Sequence, residues 1–377
     1  MTDARFERRV GSEQLRQHII GMMEQHPYHA IRFRDYMEMC LYHPEYGYYM
    51  RDYDKVGKKG DFYTSASIGT VLGDMLADYY ISWAYEHTEV VSPTLVEWGG
   101  GNGMMASQVM ERLRLRDPDL YERTQLIMIE YSPYHRKLQR EQLASHARVR
   151  WIDEQTWDEE APWQGVYMWA NELLDAYPVH RVKMIDGVLH EIWVGWDAER
   201  RRYIERYYPV DEEIRTYIEE LDLGFEEGQL AEINTSAKRW IMRLGKQLAA
   251  SIVTLIDYGD ESIEIYAAHR MLGTLMCYHQ HRAADDPYVY EGEQDITAHV
   301  DFTTARRAAL AAGFRDVRVE SQAAYLLRGG VLGWLQDHHD PDPFSPVARR
   351  NRSIRQLLLS DQMSELFKVM TMHIGDE

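Results

Sequence analysis

The segment Leu95-Val96-Glu97-Trp98-Gly99-Gly100-Gly101-Asn102-Gly103 constrains this chain more than any other. A short apolar run carries one acidic residue and ends in glycines, and a helix-forming stretch follows at residues 104–115. Glycines let backbone turn sharply and pass close to a ligand without interference from a Cβ. The first turn of the next helix then offers free N–H groups to polar ligand atoms. Strand, glycine turn and helix in that order open a unit that needs a parallel sheet with helices over both faces. Further short apolar runs at 125–130, 149–152, 165–170 and 252–257 alternate with helical stretches such as 134–145. The expected fold class is α/β.

Around this core the pattern changes. Residues 15–23 and 33–41 carry apolar positions at helical spacing, and His43-Pro44-Glu45-Tyr46-Gly47-Tyr48-Tyr49 breaks the second helix. Gly57-Lys58-Lys59-Gly60-Asp61-Phe62-Tyr63-Thr64-Ser65 reads as another loop, and Leu72, Met75, Leu76, Tyr79, Tyr80 and Trp83 as one face of a long helix. Residues 181–196 alternate around Asp186-Gly187, a two-residue hairpin signal, and 212–221 and 235–250 look helical. After Asp257 the pattern gives a loop, a helix at 302–312, β-like runs at 317–320 and 323–328, and a helical tail. The expected organisation is a helical N-terminal segment at 1–90, a core at 91–180 and 251–330, an inserted α+β subdomain at 181–250, and a helical tail at 331–377.

The 377 residues allow two or three such units and a sizeable core. Acidic residues outnumber basic ones 61 to 42, a net charge of −19, which disfavours nucleic acid and anionic membranes and tolerates a basic partner. No apolar run approaches the ~18 residues of a membrane span. The start lacks the apolar core of a secretory signal, and two cysteines, Cys40 and Cys277, cannot build a disulfide framework or a Cys-rich zinc site. These features suggest a cytoplasmic protein without a metal. Its oligomeric state is open, a homodimer included.

Ile127-Met128-Ile129-Glu130 ends the next strand on a carboxylate that can accept both hydroxyl hydrogen bonds of a ribose. A nucleoside cofactor across adjacent strand ends follows. Gly101, Gly103 and Ala106 satisfy a variant of the dinucleotide fingerprint, whereas Glu97 at the start of the loop suits a cationic ligand better than a pyrophosphate. By this loop alone an S-adenosylmethionine site, a dinucleotide site and a plain strand–turn–helix all stand.

Tyr42-His43-Pro44-Glu45-Tyr46-Gly47-Tyr48-Tyr49 and Gly60-Asp61-Phe62-Tyr63-Thr64-Ser65 resemble the MidA family of methyltransferases. So do Asn171-Glu172-Leu173-Leu174-Asp175-Ala176, Ile256-Asp257-Tyr258-Gly259, Gly273-Thr274-Leu275, Thr297-Ala298-His299-Val300-Asp301-Phe302 and Glu365-Leu366-Phe367-Lys368-Val369. That family includes the mitochondrial complex I assembly factor that dimethylates a protein arginine. The chain departs from the pattern at Trp98, Gly100, Ala66 and Ser67. The resemblance implies a Rossmann-like class I methyltransferase sheet, S-adenosyl-L-methionine as cofactor, and a protein substrate presenting an arginine, with a respiratory-complex subunit as one candidate.

For the site, the resemblance and strand-end positions together single out Asp61, Thr64, Ser65, Glu97, Gly99, Gly101, Gly103, Glu130 and Asn171 for the cofactor. Glu172, Asp175, His299 and Asp301 are the candidate catalytic residues. Glu172 and Asp175, three apart on a helix, would share one face and hold a guanidinium bidentately. The plainer reading makes Asn171 and Asp301 helix caps. The insertion and the N-terminal loops at 46–49 and 61–65 are expected to form opposite walls of an acidic cleft. Asp337-His338-His339-Asp340 resembles a metal cluster only in composition and reads as an exposed loop. A non-catalytic assembly factor on the same fold and a dinucleotide-dependent oxidoreductase are the competing functions.

Overall fold

The structure, a computed structural model, describes residues 12–52, 68–88, 90–280, 282–337, 342, 344–360 and 365–375. Among the described residues the central sheet has a path of seven strands, β1 (Thr94–Trp98), β2 (Gln125–Ile129), β3 (Val149–Ile152), β4 (Val166–Asn171), β5 (Ser251–Asp260), β6 (Arg315–Ser321) and β7 (Phe367–Ile374), and the short strand Val300–Asp301 pairs with the end of β5 as an eighth. In space they run β6-β7-β5-β4-β1-β2-β3. The strands β1 to β5 are parallel, and β7 lies antiparallel to both β5 and β6.

These strands are apolar on both faces because helices cover both faces. Alternate residues Leu95, Leu126, Met128, Tyr167 and Trp169 meet the helices at 71–86, 104–116, 322–328 and 346–359. Their neighbours Val96, Ile127, Ile129, Met168 and Ala170 meet the helices at 235–247 and 302–311 on the other side. From β1 the chain steps outward to β2 and β3, then returns to the far side of β1 as β4. A crevice opens where the order reverses, at the carboxyl ends of β1 and β4, the place where open α/β sheets bind ligands. The antiparallel β7 separates this order from the dinucleotide order 3-2-1-4-5-6.

The carboxyl-terminal stretch is not the helical tail expected. Its helix, Pro346–Leu359, is followed by β7, whose Val369, Met370 and Met372 are fully buried between β5 and β6. A short apolar run fits a buried strand as well as a buried helix until its partners are known. The same ambiguity reverses the reading of 323–328, which is a helix, Gln322–Arg328, capped by Ser321 Oγ accepting from Ala324 N–H at 3.2 Å. The helix Thr235–Gln247 also leaves the expected insertion. It is the crossover into β5 and buries Trp240, Ile241 and Leu244 against the sheet.

What remains of the insertion forms a second, antiparallel sheet from His180–Ile185, Val188–Asp197, Arg202–Pro209 and Leu230–Ile233. Asp186 and Gly187, at φ 51° and 72°, make its hairpin turn. The N-terminal segment joins this sheet, since Ala30–Arg32 pairs with Trp193–Gly195. The strand Ala30–Arg32 and the insertion therefore share one sheet, while of the loops expected as the opposite wall 61–65 lies outside the described residues. Arg16 adds a buried fork to Glu291 at 2.8 and 3.0 Å. The segment after β5, expected as loop, holds a small sheet of Met276–His279, Arg282–Ala284 and Asp295–Thr297.

Candidate active site

The loop after β1 holds Gly99, Gly101 and Gly103 at φ 72°, 51° and 79°, conformations that disfavour side chains. Gly99 has a packing reason as well, because a Cβ there would meet Leu173 Cδ1 at 2.8 Å. At Gly101 no atom of the described residues lies within 4 Å of where a Cβ would stand. Asn102 Oδ1 accepts from Met104 N–H at 3.0 Å and fixes the helix start.

Beneath this loop Glu97 is 2% exposed and accepts the Trp169 indole N–H at 2.9 Å, while its Oε2 has no hydrogen-bond partner among the described residues. Burial pushes its carboxyl up to about 8. Glu130, directly after β2, accepts from Ser132 N–H at 2.8 Å and from Gln139 Nε2 at 3.0 Å. Gln139 Nε2 also donates to the carbonyl of Gly101 at 2.9 Å, so one amide bridges the glycine loop and the acidic strand end. Burial raises Glu130 to about 7.

Across the crevice, Asn171 closes β4 and donates to Glu172 Oε1 at 3.1 Å, and its own Oδ1 is buried without a donor among the described residues. No helix starts here. Glu172 sits at φ 53° and residues 172–177 form a turn, so Glu172 and Asp175 do not share a helix face as expected. The turn wraps instead around Asp257, at the end of β5. Asp257 Oδ2 accepts the backbone N–H groups of Leu173, Leu174 and Asp175 at 3.2, 2.9 and 3.3 Å.

Asp175 is buried beside Tyr258, and its Oδ1 has no hydrogen-bond partner among the described residues. Burial brings its carboxyl up to about 6. Asp257 is raised too, by burial and then by the Asp175 and Glu172 charges beside it. Tyr258 stands edge-on to His299 with ring centroids 5.8 Å apart, and the backbone N–H of Ala298 donates to Asp175 O at 3.0 Å. His299 therefore reaches the same place. Burial, then the Arg270 charge, lowers it to about 4, so its ring is neutral at pH 7.

Asp301 does not join this group as a reacting carboxylate. Its oxygens accept from Thr304 N–H and Oγ1, Ser262 Oγ and the Tyr217 phenol, at 3.1, 2.7, 2.6 and 3.3 Å, which makes it the cap of the helix Phe302–Ala311. A side chain with that many donors is committed to the fold. Asp61, Thr64 and Ser65 lie outside the described residues.

Sequence reasoning missed several neighbours of the site. Tyr42 donates to Ala176 O at 2.9 Å and stacks on Tyr49 at 5.5 Å, and Tyr49 donates to the buried Asp295 at 2.8 Å. Tyr42 stands in a quoted motif without an assigned role, Tyr49 was expected only as part of a cleft wall, and Asp295 falls in a stretch read as loop. Gln139 lies on a helix face with nothing local to mark it.

An α/β sheet of this strand order is that of an S-adenosylmethionine-dependent methyltransferase, with a glycine loop and an acidic strand end meeting at its switch point. Residues 75–319 match the family described as "Putative S-adenosyl-L-methionine-dependent methyltransferase", and the chain belongs to that family. A superfamily member from Burkholderia thailandensis, solved with S-adenosylhomocysteine bound, superposes with a TM-score of 0.84 at 29% identity, covering 96% of this chain and 92% of that one. A native structure from the same organism gives 0.82 at 28%, covering 96% and 91%. The chain is 28% identical over 73% of its length to the mitochondrial protein arginine methyltransferase NDUFAF7 homolog of Drosophila melanogaster and spans 65% of that protein. For the Danio rerio NDUFAF7 protein the figures are 24%, 74% and 68%. Among the described residues no helix is long and apolar enough to cross a membrane.

Proposed function

We propose that this chain transfers a methyl group from S-adenosylmethionine to an arginine side chain of a protein. The observation that carries this reading is a pair of buried acceptors that lack a donor among the described residues, Asn171 Oδ1 and Asp175 Oδ1. Each costs about 1–3 kcal/mol if left unmet. Ligands that bring only N–H and O–H donors meet that need. A guanidinium has five N–H donors and no acceptor, and the cofactor brings an ammonium and two ribose hydroxyls. The relatives named as protein arginine methyltransferases support the same substrate class.

In this reading the glycine loop lets backbone approach the cofactor at Gly101, Glu130 takes the ribose hydroxyls, and Glu97 and Asn171 contribute acceptors on either side. When bound, the cofactor supplies a methyl group on a positively charged sulfur. Glu172 and Asp175 hold the guanidinium and draw its positive charge away from the attacking nitrogen. Asp175, with its raised proton affinity, accepts the proton released as the N–C bond forms. The neutral His299 closes the pocket without adding a repelling charge. Asp301 acts only through the fold.

Tritiated S-adenosylmethionine incubated with the protein and lysate of the source cells tests the reading. Label recovered as methylarginine after hydrolysis is expected, and labelled protein with no methylarginine would overturn it. Methylarginine in a respiratory-complex subunit would extend it to the substrate that the family resemblance suggests. Cytoplasmic action belongs to the same proposal, resting on two buried, unpaired cysteines, and cell fractionation tests it.

A further inference from the structure

The turn that carries Glu172 and Asp175 has no helix or strand of its own to hold it. Residues 172–177 lie between the end of β4 and the extended chain before His180, and Glu172 occupies a left-handed conformation that non-glycine residues avoid. Something outside the turn must hold that shape. Three consecutive N–H groups, from Leu173 to Asp175, converge on one oxygen of Asp257, and Glu172 N–H donates to Ile256 O at 2.8 Å. The other oxygen of Asp257 accepts the N–H of Tyr258 at 2.9 Å. Asp257 is 1% exposed, so both oxygens serve backbone, not solvent.

We infer that Asp257 is the positioning residue of the candidate guanidinium clamp, its carboxylate fixing the turn that presents Glu172 and Asp175. The inference rests on the arginine reading for what the clamp holds, but the clasp itself stands on backbone geometry. A carboxylate is suited to the task because only an acceptor with several lone pairs takes four N–H groups at once. The neighbouring Tyr258 then links the clasp to the site, since its ring stands edge-on to His299 at 5.8 Å.

Two measurements test this. In the wild-type protein, amide hydrogen exchange at residues 173–175 is expected to be slowed at least 100-fold relative to the free peptide, though the residues lie in a turn; unprotected amides would overturn the clasp. Asp257→Ala is expected to free those amides and cut kcat at least tenfold, with the KM for S-adenosylmethionine within about twofold. Asp257→Asn, which keeps one oxygen for the three N–H groups, is expected to restore most of that loss. An Asp257→Ala protein that folds and keeps wild-type kcat, or one that loses cofactor affinity in step with kcat, overturns the positioning role. If Asp257→Ala does not fold, the wild-type exchange and the Asp257→Asn rate, expected within about threefold of wild type, decide. Wild-type protein that labels no arginine refutes the functional reading alone, because exchange at 173–175 reads the clasp without a substrate.

Discussion

Ser132 Oγ donates to the carbonyl oxygen of Tyr49 over 2.7 Å, which ties the N-terminal segment to the end of β2. The same hydroxyl accepts from His135 N–H at 3.3 Å as the cap of the helix Pro133–Gln142. One side chain thus fixes both the helix beside Glu130 and the aromatic turn of Tyr48 and Tyr49. Ser132→Ala should lower stability by about 1–2 kcal/mol, the scale of a lost cap, and loosen the Tyr49–Asp295 contact. Urea unfolding measures the first, and an unchanged midpoint would mean the tie contributes nothing.

Gly101→Val should abolish S-adenosylmethionine binding while leaving a folded protein. A Cβ at Gly101 meets no atom of the described residues, so the penalty expected is local backbone strain and the space taken from a ligand. Gly100→Ala is the contrasting case, because its Cβ would strike Glu97 Oε2 at 2.6 Å and Met128 Cε at 2.7 Å, and stability should fall. Calorimetric titration with S-adenosylhomocysteine separates the two. Full affinity in folded Gly101→Val would show that the ligand lies elsewhere.

Glu130, Asp175 and Glu97 are raised to about 7, 6 and 8, above the ~4 of carboxyls in an unfolded chain. Between those values the folded protein holds protons that the unfolded chain has released. Their stabilising effect is complete below pH ~4 and is lost as pH rises through the folded values, so the ligand-free melting temperature should fall between pH 5 and 8, to the extent of these three groups. Affinity for S-adenosylhomocysteine should move the other way, because ionised Glu130 is the better acceptor for ribose hydroxyls. Glu130→Gln should flatten that dependence, and Glu130→Ala should weaken binding by about 1.5–3 kcal/mol. A dissociation constant equal at pH 6 and pH 8 would remove Glu130 from the ribose.

Glu172→Gln should leave cofactor affinity nearly unchanged and cut turnover by about tenfold or more, since orientation of the guanidinium is lost. Single-turnover methyl transfer at saturating cofactor measures it. Loss of cofactor binding with normal turnover at saturation would assign Glu172 to the cofactor side.

Local order in the sequence determined the parallel core and the ligand edge. Leu95 to Gly103 cannot be other than a strand turning into a helix, because its glycines sit where the backbone needs positive φ, and Asp186-Gly187 fixes its hairpin for the same reason. Glu130 was legible because a carboxylate ending a strand next to a glycine loop has one place to be. Only tertiary structure decided that the run at 367–374 is a strand, since its identity depends on β5 and β6 standing open on either side. It also decided that Asp301 serves as a cap while Asp257 gathers the turn at 173–175. Asp257 and Asp175 are 82 residues apart, and a hydrogen bond over that separation leaves no periodicity to read. The buried acceptors lacking donors were equally invisible, because whether a polar atom has a partner depends on everything packed around it.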